Sequence, residues 1–170
     1  MDELKYWHAV FTASRAEKKV RDRLEELGVE CFLPVQTVLR QWTYRKSRVV
    51  VPVIAGLVFV RVGRQEQVKV LQTKGVVAFL RLKGEAGAAV IPDKQMEDFR
   101  FLLDFSEEAV EMTNENIKAG DLVRVVKGSL RGMEGELIRH KGVTKVLVRI
   151  DMLGCAMVNI PASFVEKLNK

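Results

Sequence analysis

The apolar and polar positions of the first hundred residues alternate between strand-like and helix-like patterns. Tyr6 to Thr12 is an almost continuous apolar run of strand length, which predicts a buried strand. Ser14 and Glu17 form a capping-box pair, which predicts the start of a helix. Apolar residues then recur at helical spacing as far as Leu27, and Gly28 supplies a left-handed stop. A strand followed by an amphipathic helix therefore opens the chain.

The rest of this first part predicts further strands and two more helices. Strand-like segments lie at 31–38, 48–53, 57–61 and 76–82, and helical segments at about 65–71 and from Pro92 onward. The resulting order is βαβββ and then αβα. Such a mixed order is typical of an α+β domain, with helices packed on a mainly antiparallel sheet.

The last third of the chain predicts a small all-β domain. Short segments of alternating polarity at 122–126, 136–139, 145–150 and 156–160 are separated by glycines, which predict tight turns. A domain of this size with many short strands is most economically a closed β-barrel, because closure removes exposed sheet edges.

Charge marks the boundary between the two parts. Residues 1–106 carry 18 basic and 13 acidic side chains, whereas residues 107–170 carry 10 and 9. Between the two patterns, 107–116 contains four acids, no base and no apolar periodicity, as expected of a solvated linker. The sequence therefore predicts an N-terminal domain at 1–106, a linker at 107–116 and a C-terminal domain at 117–170.

Composition narrows the class of protein. A net charge of +6 favours a polyanionic partner such as nucleic acid. The longest apolar run is too short to cross a membrane, and no export signal is visible, so the cytoplasm is the expected compartment. The chain is expected to act as a monomer. Cys31 and Cys155 are too far apart in sequence for a metal cluster, and His8 and His140 are isolated from other ligand or triad residues. No enzyme activity, cofactor or metal is predicted.

Two sets of motifs resemble the NusG family of transcription factors. Gly120–Val125 followed by Gly128, Gly132 and Gly135 is similar to a KOW motif, which implies an SH3-like barrel. Trp7–Val10, the helix beginning Glu17-Lys18-Lys19-Val20, and Ile54–Val60 resemble the NusG N-terminal domain. Leu39–Trp42 through Val51-Pro52 looks most like the specialised antiterminators of polysaccharide operons, of the RfaH and UpxY types.

This resemblance implies that the N-terminal domain binds the clamp helices of RNA polymerase's largest subunit. In Leu57–Val60 both faces of the strand are apolar, so one face needs the helices and the other needs a partner. The predicted polymerase-binding residues are Ile54, Leu57, Phe59 and Phe79. The chain departs from the family at Ile54–Leu57, where the usual turn is aromatic-Pro-Gly-Tyr.

A cationic row is predicted on the first helix. Arg15, Lys19 and Arg23 are spaced at i, i+4 and i+8, and such like-charged neighbours cost about 0.2–0.5 kcal/mol each, so helix stability does not explain them. A polyanion would explain them, and an ordinary solvated face is the alternative. By resemblance, Lys19 and Arg23 match positions that approach the non-template DNA strand in the specialised members.

A second basic segment interleaves charge with aromatic rings. Arginines neutralise phosphate and aromatic rings stack on unpaired bases, so the segment is a candidate for nucleic-acid binding. The alternative is a β-hairpin whose aromatic side chains cover a sheet edge and whose basic side chains keep it soluble. The residues concerned are Arg40, Trp42, Tyr44, Arg45, Lys46 and Arg48.

The turn Asp151–Gly154 is the candidate partner site of the C-terminal domain. Adjacent Met152 and Leu153 at an exposed tip suit a small docking patch, and the family uses the matching tip to hold a ribosomal protein or the termination factor Rho. The alternative is that both side chains fold back and cap the barrel. The family's usual Phe-Gly is here Leu153-Gly154.

The predicted function is a transcription elongation or antitermination factor, and two rivals remain. A ribosome-associated RNA-binding protein with a KOW domain would use a basic barrel, whereas residues 107–170 carry almost no net charge. An enzyme acting on nucleic acid through Cys31 or His8 would need further catalytic residues to support them, and the sequence lacks these. The sequence leaves open whether the factor acts globally or on one operon, which element it recognises, whether it opposes Rho, and whether its domains are docked.

Overall fold

A computed structural model describes residues 3–168. The elements in chain order are β1 (Tyr6–Thr12), α1 (Glu17–Glu26), β2 (Glu30–Phe32), β3 (Val35–Gln41), β4 (Lys46–Pro52), β5 (Leu57–Val62), α2 (Arg64–Leu71), β6 (Val76–Phe79), α3 (Asp93–Phe105), β7 (Glu111–Thr113), β8 (Asp121–Val125), β9 (Glu134–His140), β10 (Val143–Ile150), β11 (Gly154–Asn159), a 3₁₀ turn (Ala162–Phe164) and β12 (Val165–Lys167). The described chain is thus a mixed fold of α-helices and antiparallel sheets, as the sequence predicts.

Two compact units divide the described chain. The first contains the residues up to Val35 together with Ile54–Asp93, and the second contains Gln36–Val53 together with the residues from Lys94 onward. The β3–β4 hairpin and most of α3 therefore group with the C-terminal strands. The domain boundaries drawn from charge remain a prediction.

An antiparallel sheet with the strand order β2-β5-β1-β6 forms the first unit, among the residues that the structure describes. Val10 is paired with Val58, and directly paired residues share one face of a sheet. On this face lies a buried core that includes Val20 and Leu24 of α1. Burial of this face holds the helices on the sheet.

The first helix begins later than the capping-box pattern predicts. It starts at Glu17, with Ala16 at the N-cap and no side-chain cap, so the prediction of a capping box from Ser14 is wrong. The Glu17 carboxylate instead accepts a hydrogen bond from the backbone N–H of Gly56. Gly28, with a φ of 77°, ends the helix as predicted.

The described part of the second unit contains an antiparallel sheet with the order β12-β8-β9-β10-β11-β7. Leu147 and Met157, which are directly paired, are buried with Cys155 against Ile117 and Ile138. The short alternating strands agree with the all-β prediction. Closure of this sheet into a barrel remains a proposal.

The segment predicted to be a solvated linker is partly structured. Glu111–Thr113 forms β7, which pairs with β11, and Val110 is buried. The Gln36 side-chain amide donates to the Val110 carbonyl oxygen at 3.1 Å and accepts from its N–H at 3.0 Å. The acidic composition hides this strand because its pairing partner lies more than forty residues away in sequence.

Other differences from the predicted elements are local. The strand predicted at 31–38 is two strands, because β2 ends before the buried pair Leu33-Pro34 and β3 begins after it. Proline lacks the N–H that a continuous ladder would use. The helices predicted near 65–71 and from Pro92 are confirmed as α2 and α3. Among the described helices, none has the length and apolar character needed to span a membrane.

Candidate functional site

The turn between β4 and β5 is held in place from two sides. Gly56 adopts a φ of 70°, a left-handed conformation that glycine reaches without strain. Its carbonyl accepts a 2.8 Å hydrogen bond from the Thr12 N–H, and its own N–H donates to Glu17. The neighbouring Ile54 is half-buried, so part of its side chain is available on a fixed turn. Sequence analysis missed the role of Glu17 because it assigned this carboxylate to a helix cap.

The structure does not bring all four predicted polymerase-binding residues together. Leu57 and Phe59 lie on the face of β5 opposite Val58, and the Phe59 ring stacks on Phe32 with centroids 6.2 Å apart. Phe79 is paired with Val10 and belongs to the helix-covered core on the other face. Period-two alternation predicts two faces but cannot tell which residues of separate strands share one.

Leu57 and Phe59 are fully buried, with 1% and 0% of their surfaces exposed. A buried side chain cannot contact a partner until it is uncovered. Of the four residues, Ile54 is therefore the one that presents accessible surface in this structure.

The cationic row is shorter than its spacing suggests. Arg15 has a φ of 60° and lies in the turn before α1, so it is not on the helix. Lys19 is exposed, and the Arg23 guanidinium donates a 2.7 Å hydrogen bond to the Lys74 carbonyl oxygen. This bond uses one of the five donors of the guanidinium and leaves the others for a ligand.

The loop that carries Lys74 lies beside α1. It is held there by the Arg23 bond and by a 2.8 Å hydrogen bond from the Ala13 N–H to the Gly75 carbonyl. Lys69 and the acidic Glu26 line the same shallow groove as Arg23. Sequence analysis missed both lysines, because no local pattern places them near α1.

The basic aromatic segment forms the β3–β4 hairpin. Its turn is closed by a 2.6 Å hydrogen bond from the Trp42 N–H to the Arg45 carbonyl, and the indole Nε1–H donates to Ser47 Oγ at 2.5 Å. Trp42 is 47% exposed and Tyr44 is 97% exposed. Arg40, Arg45, Lys46 and Arg48 are also exposed.

At the β10–β11 turn, Met152 is exposed and Leu153 is half-buried. The turn is closed by a 3.0 Å hydrogen bond from the Leu153 N–H to the Ile150 carbonyl. Asp151, at its start, is hydrogen-bonded to the Gln95 side chain. Met152 thus presents the larger accessible surface of the two predicted docking residues.

Ion pairs fix the strands around this turn. The Arg149 guanidinium donates to both Glu136 carboxylate oxygens, at 2.6 and 3.1 Å, and to the Ile117 carbonyl at 2.8 Å. The Glu136 hydrogen bond raises the pKa of Arg149. The Lys145 ammonium, whose side chain is 7% exposed, donates to Glu111 at 2.8 Å and lowers the pKa of that carboxyl.

The thiols and imidazoles form no reactive arrangement in the described structure. Burial raises the pKa of Cys31 to about 11 and also raises the pKa of Cys155, so both thiols are protonated at neutral pH. His8 is buried beside Phe79 with its Nδ1 2.9 Å from the Ala89 carbonyl oxygen. Within residues 3–168, no cluster of three His, Cys, Asp or Glu side chains could hold a metal ion.

Comparison with protein-family models identifies the family of this chain. Residues 5–100 match the NusG family model, described as transcription termination factor nusG, and so cover more than half of the chain. The chain belongs to the NusG family. This family membership agrees with the motifs at Trp7–Val10 and Ile54–Val60.

Solved structures include other chains similar to this NusG-family protein. One, described as domain interaction in Thermotoga maritima NusG, is 23% identical with a TM-score of 0.52, and the match covers 97% of this chain and 98% of that one. The MjSpt4:Spt5 complex in conformation B is 18% identical, with a TM-score of 0.29 and coverage of 96% and 97%. The first likeness shows a shared fold, and the second is too weak to support an argument. No curated protein matches the chain.

Proposed function

We propose that this NusG-family protein is a transcription elongation or antitermination factor that binds RNA polymerase and suppresses pausing or termination. The observation that carries the proposal is the family match over residues 5–100, within which the Ile54 turn is fixed by Glu17 and Thr12. A preformed turn with an accessible apolar side chain suits a binding surface, because little conformational entropy is lost on docking.

The proposed polymerase surface combines Ile54 with Leu57 and Phe59, its partner being the clamp helices of the largest subunit. Because Leu57 and Phe59 are buried, engagement through them requires a rearrangement that uncovers them first. Such a rearrangement lowers the apparent affinity by the fraction of molecules that are uncovered. Phe79 lies in the core of the first unit and is left out of the proposed surface.

The proposed nucleic-acid surface lies along α1. Lys19, Arg23 and the preceding Arg15 face the displaced non-template DNA strand, and the position of Lys69 in the groove beside Arg23 supports this role. Positive charges converging from two elements attract phosphate more strongly than one isolated row.

The C-terminal domain, residues 117–170, is proposed to be an SH3-like KOW barrel that recruits a ribosomal protein or Rho through Met152 and Leu153. The exposed position of Met152 supports this role. The N-terminal domain is proposed at 1–106 and the linker at 107–116, although residues 111–113 of that linker also form β7 of the second sheet. We place the protein among the specialised antiterminators of polysaccharide operons, which rests on the motif between Leu39 and Pro52.

The proposed mechanism needs no catalytic residue. Preferential binding to the elongating conformation of polymerase shifts the population away from the paused conformation. The size of this shift is set by the difference between the two affinities.

Titration of purified bacterial RNA polymerase with the labelled full chain tests the proposal. Ile54→Glu should weaken binding about tenfold or more, because docking would then bury a carboxylate in place of a butyl group. Val68→Glu, which alters an exposed apolar residue on α2, is the matched control and should bind normally. A folded Ile54→Glu variant with unchanged affinity would remove the turn from the surface. Binding of the wild type to ribosomal subunits but not to polymerase would favour the ribosome-associated alternative.

A further inference from the structure

We infer that the tip of the β3–β4 hairpin is a preformed base-stacking site for single-stranded nucleic acid, with Trp42 and Tyr44 as the stacking rings. The inference deepens the proposed function, because it assigns a ligand class to a second surface. Only the source of the bound strand depends on the proposed role in transcription.

The orientation of the Trp42 ring is the first observation. Its Nε1–H is already satisfied by Ser47 Oγ at 2.5 Å, so the indole is fixed by a bond across the hairpin. Trp42 is nevertheless 47% exposed. An aromatic that served only to cover the hairpin would bury its faces, as its hydrophobicity favours. A fixed and accessible indole face is what stacking requires, because no rotamer freedom is lost on binding.

Tyr44 is the second observation. It lies in the turn between Trp42 and Arg45 and is 97% exposed, so it contributes almost nothing to packing within the protein. Two accessible rings two residues apart can receive neighbouring unpaired bases. A duplex offers no such faces along its length, because its bases are stacked on one another.

The third observation is the positive charge of the hairpin, which favours a negatively charged partner. Residues 36–53 contain four basic side chains and no acidic one. None of these four forms an ion pair with a residue that the structure describes. The four are Arg40, Arg45, Lys46 and Arg48, all exposed. Basic side chains interleaved with aromatic rings form the electrostatic and stacking elements of a single-strand site.

Fluorescence anisotropy with labelled oligonucleotides tests the inference without polymerase. The full chain is titrated with a twelve-base single-stranded DNA, the RNA of the same sequence and the matched DNA duplex. Tyr44→Ala and Trp42→Ala should each weaken single-strand binding about 5- to 150-fold and leave duplex binding nearly unchanged. The paired variant Arg45→Ala, Lys46→Ala should reduce the log–log salt slope by about 1.4. Preference for DNA would identify the displaced strand as the source, and preference for RNA would identify the transcript.

Three further variants separate stacking from hairpin stability. Trp42→Phe keeps a ring and should retain most of the affinity. Ser47→Ala releases the indole and should weaken binding, but less than Trp42→Ala does, because the ring itself remains. Leu39→Ala removes an exposed aliphatic side chain from the same hairpin and should have no effect.

Unchanged single-strand affinity in a folded Trp42→Ala, Tyr44→Ala variant would overturn the inference. Equal losses for single strands and duplex would also overturn it, since they would indicate phosphate contacts alone. Loss of polymerase affinity in the hairpin variants, without any loss of oligonucleotide affinity, would assign the hairpin to a protein partner. In each of these cases the effect of Ile54→Glu on polymerase binding still tests the proposed function separately.

Discussion

Gln95 in α3 and Asp151 at the β10–β11 turn hold each other through two reciprocal hydrogen bonds. The Gln95 Oε1 accepts from the Asp151 N–H at 2.7 Å, and the Gln95 Nε2 donates to the Asp151 carboxylate at 2.9 Å. The same turn carries Met152 and Leu153, the proposed docking residues. Part of the tip is therefore already engaged within the second unit.

A partner that docks at this tip should compete with Gln95. Gln95→Ala removes both hydrogen bonds, and because they are exposed we expect a gain of about 1 kcal/mol, or roughly fivefold, in affinity for the partner. Titration of the full chain with candidate ribosomal protein or Rho measures this gain. Leu153→Ser should act in the opposite direction and weaken binding. Equal affinity of the Gln95→Ala variant and the wild type would show that the partner uses another part of the sheet.

Gly154 is predicted to be the residue of the second unit that least tolerates a side chain. Its φ is 109°, and a Cβ there would overlap the Thr113 carbonyl oxygen in the neighbouring strand β7. Gly154→Ala should therefore combine left-handed strain of about 1–3 kcal/mol with a steric penalty of similar size. Gly132→Ala is the matched control, because its φ is 95° and no atom lies within 4 Å of the added carbon.

Chemical denaturation of the wild type and both glycine variants checks this prediction. Gly132→Ala should lose only the part of the free energy of unfolding that comes from left-handed backbone strain. If both variants lost the same free energy of unfolding, close packing of β7 on β11 would not be what restricts position 154.

The Lys145–Glu111 pair predicts a specific acid sensitivity. The hydrogen bond from Lys145 lowers the pKa of Glu111 in the folded state, so the pair stabilises the protein above the carboxyl's ordinary pKa of 4.5. This stability is lost as the pH falls through the lower folded-state value. Because Glu111 itself is largely exposed, we expect a contribution of at most about 1 kcal/mol at pH 7.

Urea unfolding of the wild type and of Glu111→Gln between pH 7 and pH 3 measures this contribution. The wild type should be the more stable at pH 7, and the two stabilities should converge in the acid range. Lys145→Met, which removes the ammonium, should flatten the same part of the pH dependence. A stability difference that stayed constant over the whole range would assign it to packing instead of ionisation.

Elements set by local pattern were predictable, whereas contacts between distant segments were not. The run Tyr6–Thr12 and the spacing up to Leu27 carry their periods in the sequence, and both elements are present. Glu17 was misassigned because its partner, Gly56, lies 39 residues away. The strand Glu111–Thr113 was missed because it is only three residues long, with Met112 its one apolar side chain, and its pairing comes from β11.

In the candidate site, too, local patterns were predictable and contacts between distant segments were not. Alternation along β5 correctly separates Leu57 from Val58, but only the pairing with Val10 shows that Phe79 lies on the helix-covered face. Lys74 reaches α1 through its carbonyl oxygen, a contact that no side-chain pattern encodes. Sequence therefore indicates which residue types are available, and tertiary pairing decides which of them share a surface.

Pause lifetime measures most directly whether the protein favours the elongating state of RNA polymerase, as we propose. Full-length protein is added at saturating concentration to stalled bacterial elongation complexes, nucleotides are restored, and the lifetime of a defined pause is followed. We expect the lifetime to fall about two- to fivefold, equivalent to about 0.4–1 kcal/mol in barrier height. The Ile54→Glu variant should lose much of this effect at a concentration that only just saturates with the wild type. A folded wild-type protein that left both pausing and termination unchanged would show that it is not an elongation or antitermination factor.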